Sequence, residues 1–315
     1  MIPANGTRAA LVLGTRGSKL ALQQSTWVQA RLKELAPDVQ VSIQRIQTSG
    51  DKILDVPLAK IGGKGLFVKE IEEALLRGEI DLAVHSMKDV PTQLPEGLDI
   101  LCMPPREDPR DALISHQAVS FDQLKPGARV GTSSLRRQAQ LLYHRPDLTI
   151  EMLRGNLDTR LRKLREGRYD AIVLAAAGLQ RLEWAQEVTE YLPTERSLPA
   201  IGQGALGIEG RRDDVFVRTL LSKLEYPPTR TAVLAERALL RRLEGGCQVP
   251  IAAHARLKGE RLELEGLIAS VDGHRVVRDR VEGPAGDPQA LGIQLAERLL
   301  AQGGDEILDV IFGRA

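Results

Sequence analysis

Arg129-Val130-Gly131-Thr132-Ser133-Ser134-Leu135-Arg136-Arg137 reads as the end of a strand, a tight polar turn and the start of a helix. Ser134 suits the position just before the helix, where a hydroxyl can accept a backbone N–H. The unpaired N–H groups of the first helical turn, the helix dipole, three hydroxyls and two guanidinium groups then meet at one place. That combination favours a bound anion. Strand–turn–helix units arranged in series are the pattern of an α/β fold with a parallel sheet.

The same unit stands at the start of the chain. Ala9-Ala10-Leu11-Val12-Leu13 reads as a buried strand, Gly14-Thr15-Arg16-Gly17-Ser18 as its turn, and Lys19 to Leu35 as a helix with Ser18 as its cap. Leu20, Leu22, Trp27, Val28, Leu32 and Leu35 are its expected apolar face. Val39 to Ile46 alternates as a strand. Thr48 to Gly65 carries Gly50, Pro57, Gly62, Gly63 and Gly65 with Lys60 and Lys64, and is expected to be a mobile loop over a cleft. A helix from Leu66 to Leu76 and a strand from Ile80 to Val84 lead into His85-Ser86-Met87-Lys88-Asp89-Val90-Pro91. Ligands of open α/β sheets bind at the carboxyl ends of strands, where these polar residues fall. A solvated turn would read the same way locally.

Pro104-Pro105-Arg106-Glu107-Asp108-Pro109-Arg110-Asp111 reads as a linker before the second set of units. Within that set, Leu148 to Met152 is a strand ending in Arg154-Gly155-Asn156, and Arg160 sits on the next helix. Ala171 to Leu174 is a strand followed by small residues and Arg181. Cations at the carboxyl ends of three successive strands belong to one edge of a parallel sheet, which scattered solvated arginines would not favour. Leu198 to Ala205 is a Pro/Gly-rich crossing, followed by a strand to Ile208 and a helix to Leu224, a path that returns the chain to its first domain. From Tyr226-Pro227-Pro228 a third region begins. It has a helix over Thr229–Leu243, strands over Ile251–Leu257, Leu262–Ser270 and His274–Val281, and helices over Pro288–Leu300 and Asp305–Phe312. The expected division is 1–104 with 205–225, 105–204, and 226–315. The third domain is α+β with an antiparallel sheet.

The chain has 315 residues, 43% hydrophobic and 27% charged, with net charge +1, as an ordinary globular protein does. Such a charge gives no global attraction to nucleic acid or membrane. Arginine outnumbers lysine 32 to 11, and its planar fork matches carboxylate and phosphate. Codon bias in a GC-rich genome would raise the number too, so position carries the argument. Two widely separated cysteines make neither a disulfide framework nor a zinc site. The first residues lack the apolar core of a signal peptide, and no apolar run approaches membrane-spanning length. A reducing, cytoplasmic compartment is expected.

One of those cysteines stands in Leu243-Glu244-Gly245-Gly246-Cys247-Gln248-Val249-Pro250. Two glycines and a following proline suit a thiol at the tip of a short turn, with room for a bulky partner. A buried cysteine serving as a small hydrophobe fits the local sequence as well. The other, in Ile100-Leu101-Cys102-Met103, lies in an apolar strand-like run where burial makes a thiol inert.

Six stretches taken in order resemble the porphobilinogen deaminase (hydroxymethylbilane synthase) family: Gly14-Thr15-Arg16-Gly17-Ser18-Lys19-Leu20-Ala21, Lys60-Ile61-Gly62-Gly63-Lys64-Gly65-Leu66-Phe67, His85 to Pro91, Gly131 to Arg137, Arg154-Gly155-Asn156, and Glu236-Arg237 leading to Glu244 through Pro250. The match runs from Leu11 to the C-terminus, preceded by a few extra residues. The resemblance implies two periplasmic-binding-protein-like α/β domains plus a smaller α+β C-terminal domain. It implies a transferase that joins four porphobilinogen molecules head-to-tail into hydroxymethylbilane, releasing ammonia at each step, for porphyrin and haem biosynthesis. It implies a dipyrromethane cofactor held by a thioether to Cys247 and serving as primer. Asp89 is the implied catalytic residue, able to bind pyrrole N–H groups and to offset the cationic azafulvene left by ammonia. The implied ligand-binding set is Arg16, Ser18, Lys64, Ser86, Lys88, Thr132, Ser133, Ser134, Arg136, Arg137, Arg154, Arg160 and Arg181, with Phe67 packing on substrate. Each pyrrole brings two carboxylates, and clustered arginine suits them. No metal-ligand cluster or nucleotide-binding glycine pattern is present, and a monomer without nucleic-acid or membrane partners is expected. A ligand-binding module of the same architecture would share the anion sites but would need neither Cys247 nor Asp89. A nucleic-acid binder would also use arginine, against which stand the near-zero charge and 3% aromatic content.

Overall fold

The computed structural model describes residues 8–52, 68–245 and 249–314. In chain order its strands are β1 (Ala10–Thr15), β2 (Gln40–Arg45), β3 (Leu82–Ser86), β4 (Leu98–Cys102), β5 (Asp111–Ser115), β6 (Arg129–Gly131), β7 (Thr149–Glu151), β8 (Ala171–Ala175), β9 (Glu190–Leu192), β10 (Leu206–Arg211), β11 (Ile251–Lys258), β12 (Arg261–Ala269) and β13 (Val276–Pro284). The main helices are α1 (Lys19–Leu35), α2 (Lys69–Leu76), α3 (Leu135–His144), α4 (Leu157–Arg165), α5 (Ala176–Arg181), α6 (Val215–Leu221), α7 (Pro227–Arg242), α8 (Pro288–Leu299) and α9 (Asp305–Phe312). The chain forms two compact units. Described residues 8–52, 68–106 and 205–230 make the first; 107–204, 231–245 and 249–314 make the second.

The first unit is built on a five-stranded sheet ordered β2-β1-β3-β10-β4. β1 runs parallel to both β2 and β3, while β10 is antiparallel to β3 and β4. Leu11, Leu13, Val41, Leu82 and Val84 pack on one face with Val28 and Leu32 of α1. Ala83, Ile80 and Leu98 pack on the other with Ile71, Ala74 and Leu75 of α2. α1 has the expected span and cap, but its buried stripe is Gln24, Ser25, Val28 and Leu32, and Trp27 is 42% exposed. Positions 24, 28 and 32 stack at four-residue spacing over the sheet, and Trp27 falls at the border of that stripe.

The second unit holds two sheets. One is ordered β7-β6-β8-β5-β9. It has the first unit's plan: three parallel strands (β7, β6, β8), then an antiparallel β5, then β9 antiparallel to β5. Asp111, expected in a linker, opens β5 and is fully buried. The apolar Ala112-Leu113-Ile114 that follows makes the strand, and Asp111 is drawn in with it.

The other sheet, β11-β12-β13, is antiparallel throughout, with Ile251 opposite Ile268 and Ala269 opposite Val276. α7 and α8 cover it, burying Leu239, Leu243, Leu264, Ile268, Leu295 and Leu299 in one cluster. The two helices touch backbone to backbone at Gly292, where a Cβ would lie 2.2 Å from the Ala235 carbonyl oxygen. A fully buried carboxylate, Glu236, accepts the N–H groups of Gly202 at 2.7 Å and Ala255 at 2.9 Å. It thereby ties the crossing after β9 to the antiparallel sheet, which also shares a cluster of Ala139, Leu198, Ala252, Leu267 and Ala269 with the α/β part.

Candidate functional site

In the first unit the expected residues gather at the carboxyl ends of two adjacent parallel strands. β1 runs out through Arg16 and Gly17 to Ser18, whose hydroxyl caps α1 by accepting the Ala21 N–H at 3.3 Å. β3 ends at Ser86, and Met87–Asp89 forms one short 3-10 turn. Arg16, Ser18, Ser86, Lys88 and Asp89 are all half-buried. The end of β3 is bonded to α1: Gln24 Nε2, on the second turn of that helix, donates to Ser86 Oγ at 3.2 Å. The Met87 N–H donates to Ala205 O at 3.0 Å, and His85 Nε2 meets Glu209 Oε2 at 2.8 Å. The turn that carries Asp89 is thus pinned on several sides.

The second unit repeats the arrangement with more cations. Thr132, Ser133 and Ser134 form the turn after β6. Ser134 Oγ accepts the Arg137 N–H at 3.4 Å, and Ser133 Oγ donates to Leu153 O at 2.5 Å. Arg154 follows β7, and Arg160 lies on the first turn of α4 with its Nε on Gly155 O at 2.7 Å. Arg181, at the end of α5 beyond β8, donates to Gly204 O at 2.7 Å. Burial pulls its guanidinium down to about 10, with Glu107 opposing. β6, β7 and β8 are neighbouring parallel strands, so these groups share one edge of the sheet.

Arg136 and Arg137 are placed differently from a pair of open ligand cations. They are 4% and 6% exposed, and both guanidinium groups close on Asp111. Arg136 donates to Asp111 at 2.8 and 3.1 Å and to Leu198 O at 2.5 Å. Arg137 donates to Asp111 at 3.0 and 2.7 Å and to Val173 O at 3.0 Å. Ser197 Oγ and Gln203 Nε2 add bonds to the same carboxylate at 2.7 and 2.9 Å. Burial acts to raise the Asp111 carboxyl, but the two guanidinium groups outweigh it and hold it well below the usual carboxylate range. Arg136 Nε, two residues past Ser134, is buried with no hydrogen-bond partner among the described residues. Asp111, Gln24 and Glu209 were missed by sequence reasoning. Asp111 was hidden in a run of charges that resembles a solvated linker, and Gln24 and Glu209 have no motif of their own.

Lys64, Phe67 and Cys247 lie outside the described residues, as do residues 53–65 of the expected loop. On the near side of the cysteine, α7 ends at Arg242 and the Gly245 N–H donates to Leu240 O at 3.1 Å; on the far side the chain resumes at Val249, ahead of β11. Cys102 is fully buried on β4. Among the described residues no His/Cys/Asp/Glu group could hold a metal ion, and no helix is long and apolar enough to cross a membrane.

A donor set of this kind fits a ligand bearing several carboxylates. Hydroxyls, helix-start N–H groups and half-buried guanidinium groups all donate, and the buried Arg136 Nε remains without an acceptor among the described residues.

Residues 11–219 match the family model described as porphobilinogen deaminase, dipyromethane cofactor binding domain, and residues 230–301 match porphobilinogen deaminase, C-terminal domain. The porphobilinogen deaminase of Geobacter sulfurreducens is 60% identical over 304 residues, 96% of this chain and 95% of that one. That of Pelobacter propionicus is 59% identical over 304 residues, 96% and 98% of the two chains. Among solved structures, the methionine binding protein MetQ aligns with 68% of this chain and 89% of its own, at 15% identity and a TM-score of 0.43. With both family models matched in order and relatives aligned almost end to end, the chain belongs to the porphobilinogen deaminase family.

Proposed function

We propose that this chain joins four porphobilinogen molecules head-to-tail into hydroxymethylbilane, releasing ammonia at each step of tetrapyrrole synthesis, with Asp89 as its catalytic residue and Cys247 as the attachment point of its dipyrromethane. The observation that carries the reading is a coincidence of position. The region matched to the family's cofactor-binding domain also holds the carboxylate-binding donor set and the Asp89 turn. The dipyrromethane supplies the pyrrole end on which the product grows. Arg16, Ser18, Lys64, Ser86 and Lys88 in one part, and Thr132, Ser133, Ser134, Arg154, Arg160 and Arg181 in another, bind and orient the acetate and propionate groups. Arg136 and Arg137 belong to that set through the rigid Asp111 cluster, with Arg136 Nε as its spare donor. Phe67 packs on substrate.

Asp89 does its work by charge and by proton exchange. Its carboxylate accepts pyrrole N–H groups, offsets the positive charge left on the substrate when ammonia leaves, and takes up the proton released as the new bond forms. A thioether at Cys247 suits repeated elongation, because thiol exchange does not open a carbon–sulfur bond as it opens a disulfide. The three-domain division at 104, 204 and 225, a cytoplasmic location and a monomeric state complete the reading. The order of elements supports the division, and the two widely spaced cysteines support the location.

Two measurements test it. The intact mass of denatured protein should exceed the sequence mass by two linked pyrrole units, an increment that Cys247→Ala removes and Cys102→Ala retains. Asp89→Asn should fold and keep that increment while losing about a hundredfold or more in turnover. An unmodified mass in active enzyme, or near-normal turnover in Asp89→Asn, defeats the respective assignment.

A further inference from the structure

Under the Asp89 turn lies a buried polar cluster that the proposed chemistry does not use. His85 is the penultimate residue of β3, and Glu209 stands on the neighbouring antiparallel β10. Gly207 pairs with His85 and Ala83 with Glu209, so the two side chains share one sheet face, diagonally across the strand pair. Their side chains are 4% and 1% exposed and meet at 2.8 Å. Glu72, on the first turn of α2, is buried against the same face. Glu209 Oε1 is buried and has no hydrogen-bond partner among the described residues.

A cluster of this composition is a poor stabiliser. Taking a carboxylate and an imidazole out of water is costly, and apolar residues of equal volume often do better. Its position supplies the reason for it. The face holding His85 is opposite the one where Ser86 meets Gln24, and Met87 is held from a third side by Ala205. The His85–Glu209 bond is the anchor on the α2 side, immediately ahead of the residues that project Ser86, Lys88 and Asp89.

We propose that Glu209 is a positioning residue for the reaction: by holding His85 it fixes the carboxyl end of β3, and so the turn that presents Asp89 to substrate. Glu72 is the second carboxyl of the cluster. Burial, then the charge of Glu209, raises its carboxyl to about 7, with His85 acting the other way. Among the described residues, the elements packed around the cluster add apolar groups to it: Ile100 of β4 stands opposite Glu209, and α2 contributes Ile71, Ala74 and Leu75.

The test separates positioning from mere packing. In the full-length enzyme, the double variant His85→Phe/Glu209→Leu replaces the polar pair by apolar groups. It should keep its thermal midpoint and its covalent increment, yet lose about tenfold in kcat with KM within about twofold. Displacement of a reacting group by roughly 1 Å is enough for such a loss. Unchanged kcat in the folded double variant overturns the proposal. Should that variant fail to fold, Glu209→Gln read against Glu209→Asn decides. Glutamine keeps an acceptor at the same reach and should retain kcat within about twofold, while asparagine, one methylene shorter, should lose about tenfold. Equal kcat in the two overturns the proposal. The inference rests on Asp89 being catalytic. Full turnover in Asp89→Asn refutes that reading whatever the Glu209 variants do, whereas an inactive Asp89→Asn beside a fully active double variant refutes the Glu209 role alone.

Discussion

Asp111→Asn is the substitution with the largest expected effect on stability. The change is nearly isosteric, but it removes the one carboxylate on which Arg136 and Arg137 both close. Among the described residues six hydrogen bonds end on that group: two from Arg136, two from Arg137, one from Ser197 and one from Gln203. Asparagine keeps one acceptor oxygen and turns an NH2 donor toward groups that are donors themselves. Breaking a buried ion pair from one side costs about 3–5 kcal/mol, because the partner stays buried and uncompensated. Here two cations are left, so the upper part of that range applies. With an m-value of about 3 kcal/mol/M, the urea midpoint should fall by roughly 1.3–1.7 M. The pH dependence adds a second readout. The Asp111 carboxyl is held below its usual range by the guanidinium groups despite burial. Its contribution is therefore fully present above the unfolded value of about 3.9 and is lost as pH falls toward the folded one. The gap between wild type and Asp111→Asn should be constant from about pH 5 to 8 and narrow below about pH 4. A midpoint within about 0.2 M of wild type at pH 7 would refute the claim that this carboxylate holds the two arginines.

Glu72 carries the opposite sign. Its folded value is raised from 4.5 to about 7, by burial first and by Glu209 second, so wild type loses stability as pH rises through that interval. Glu72→Gln should match wild type near pH 4.5 and exceed it at pH 8, by up to about 2 kcal/mol after allowance for solvent screening; a difference independent of pH in chemical denaturation contradicts this. The Cys102 thiol is pushed up to about 12, by burial and then by the charge of Glu225. It should resist alkylation in native protein at about pH 8 and react after denaturation, and native labelling mapped to Cys102 would show the site to be open.

Much of the fold was legible because periodicity is local. The spans of α1 and α9 and the three C-terminal strands follow from apolar spacing that each segment carries within itself. Ser18 and Ser134 were legible as caps for the same reason, since a cap bonds three residues along its own chain. The strand-end position of Ser86, and the place of Arg154 just beyond β7, followed from where each apolar run stops.

What the residues alone determined is thus the alternation of strand, polar turn and helix, the edge on which hydroxyls and arginines collect, and the ordered motifs that mark the family. Tertiary structure decided which of those polar groups face a partner inside the protein. Asp111 lies 25 and 26 positions from the arginines it binds, and Glu209 lies 124 from His85. Nothing in a window of sequence distinguishes a carboxylate that meets water from one that meets a guanidinium or imidazole brought in by a distant strand. The sheet order does, by setting β5 beside β8 and β10 beside β3. Burial then strengthens each such pairing, because an unmatched charge in the interior costs more than the fold can spare.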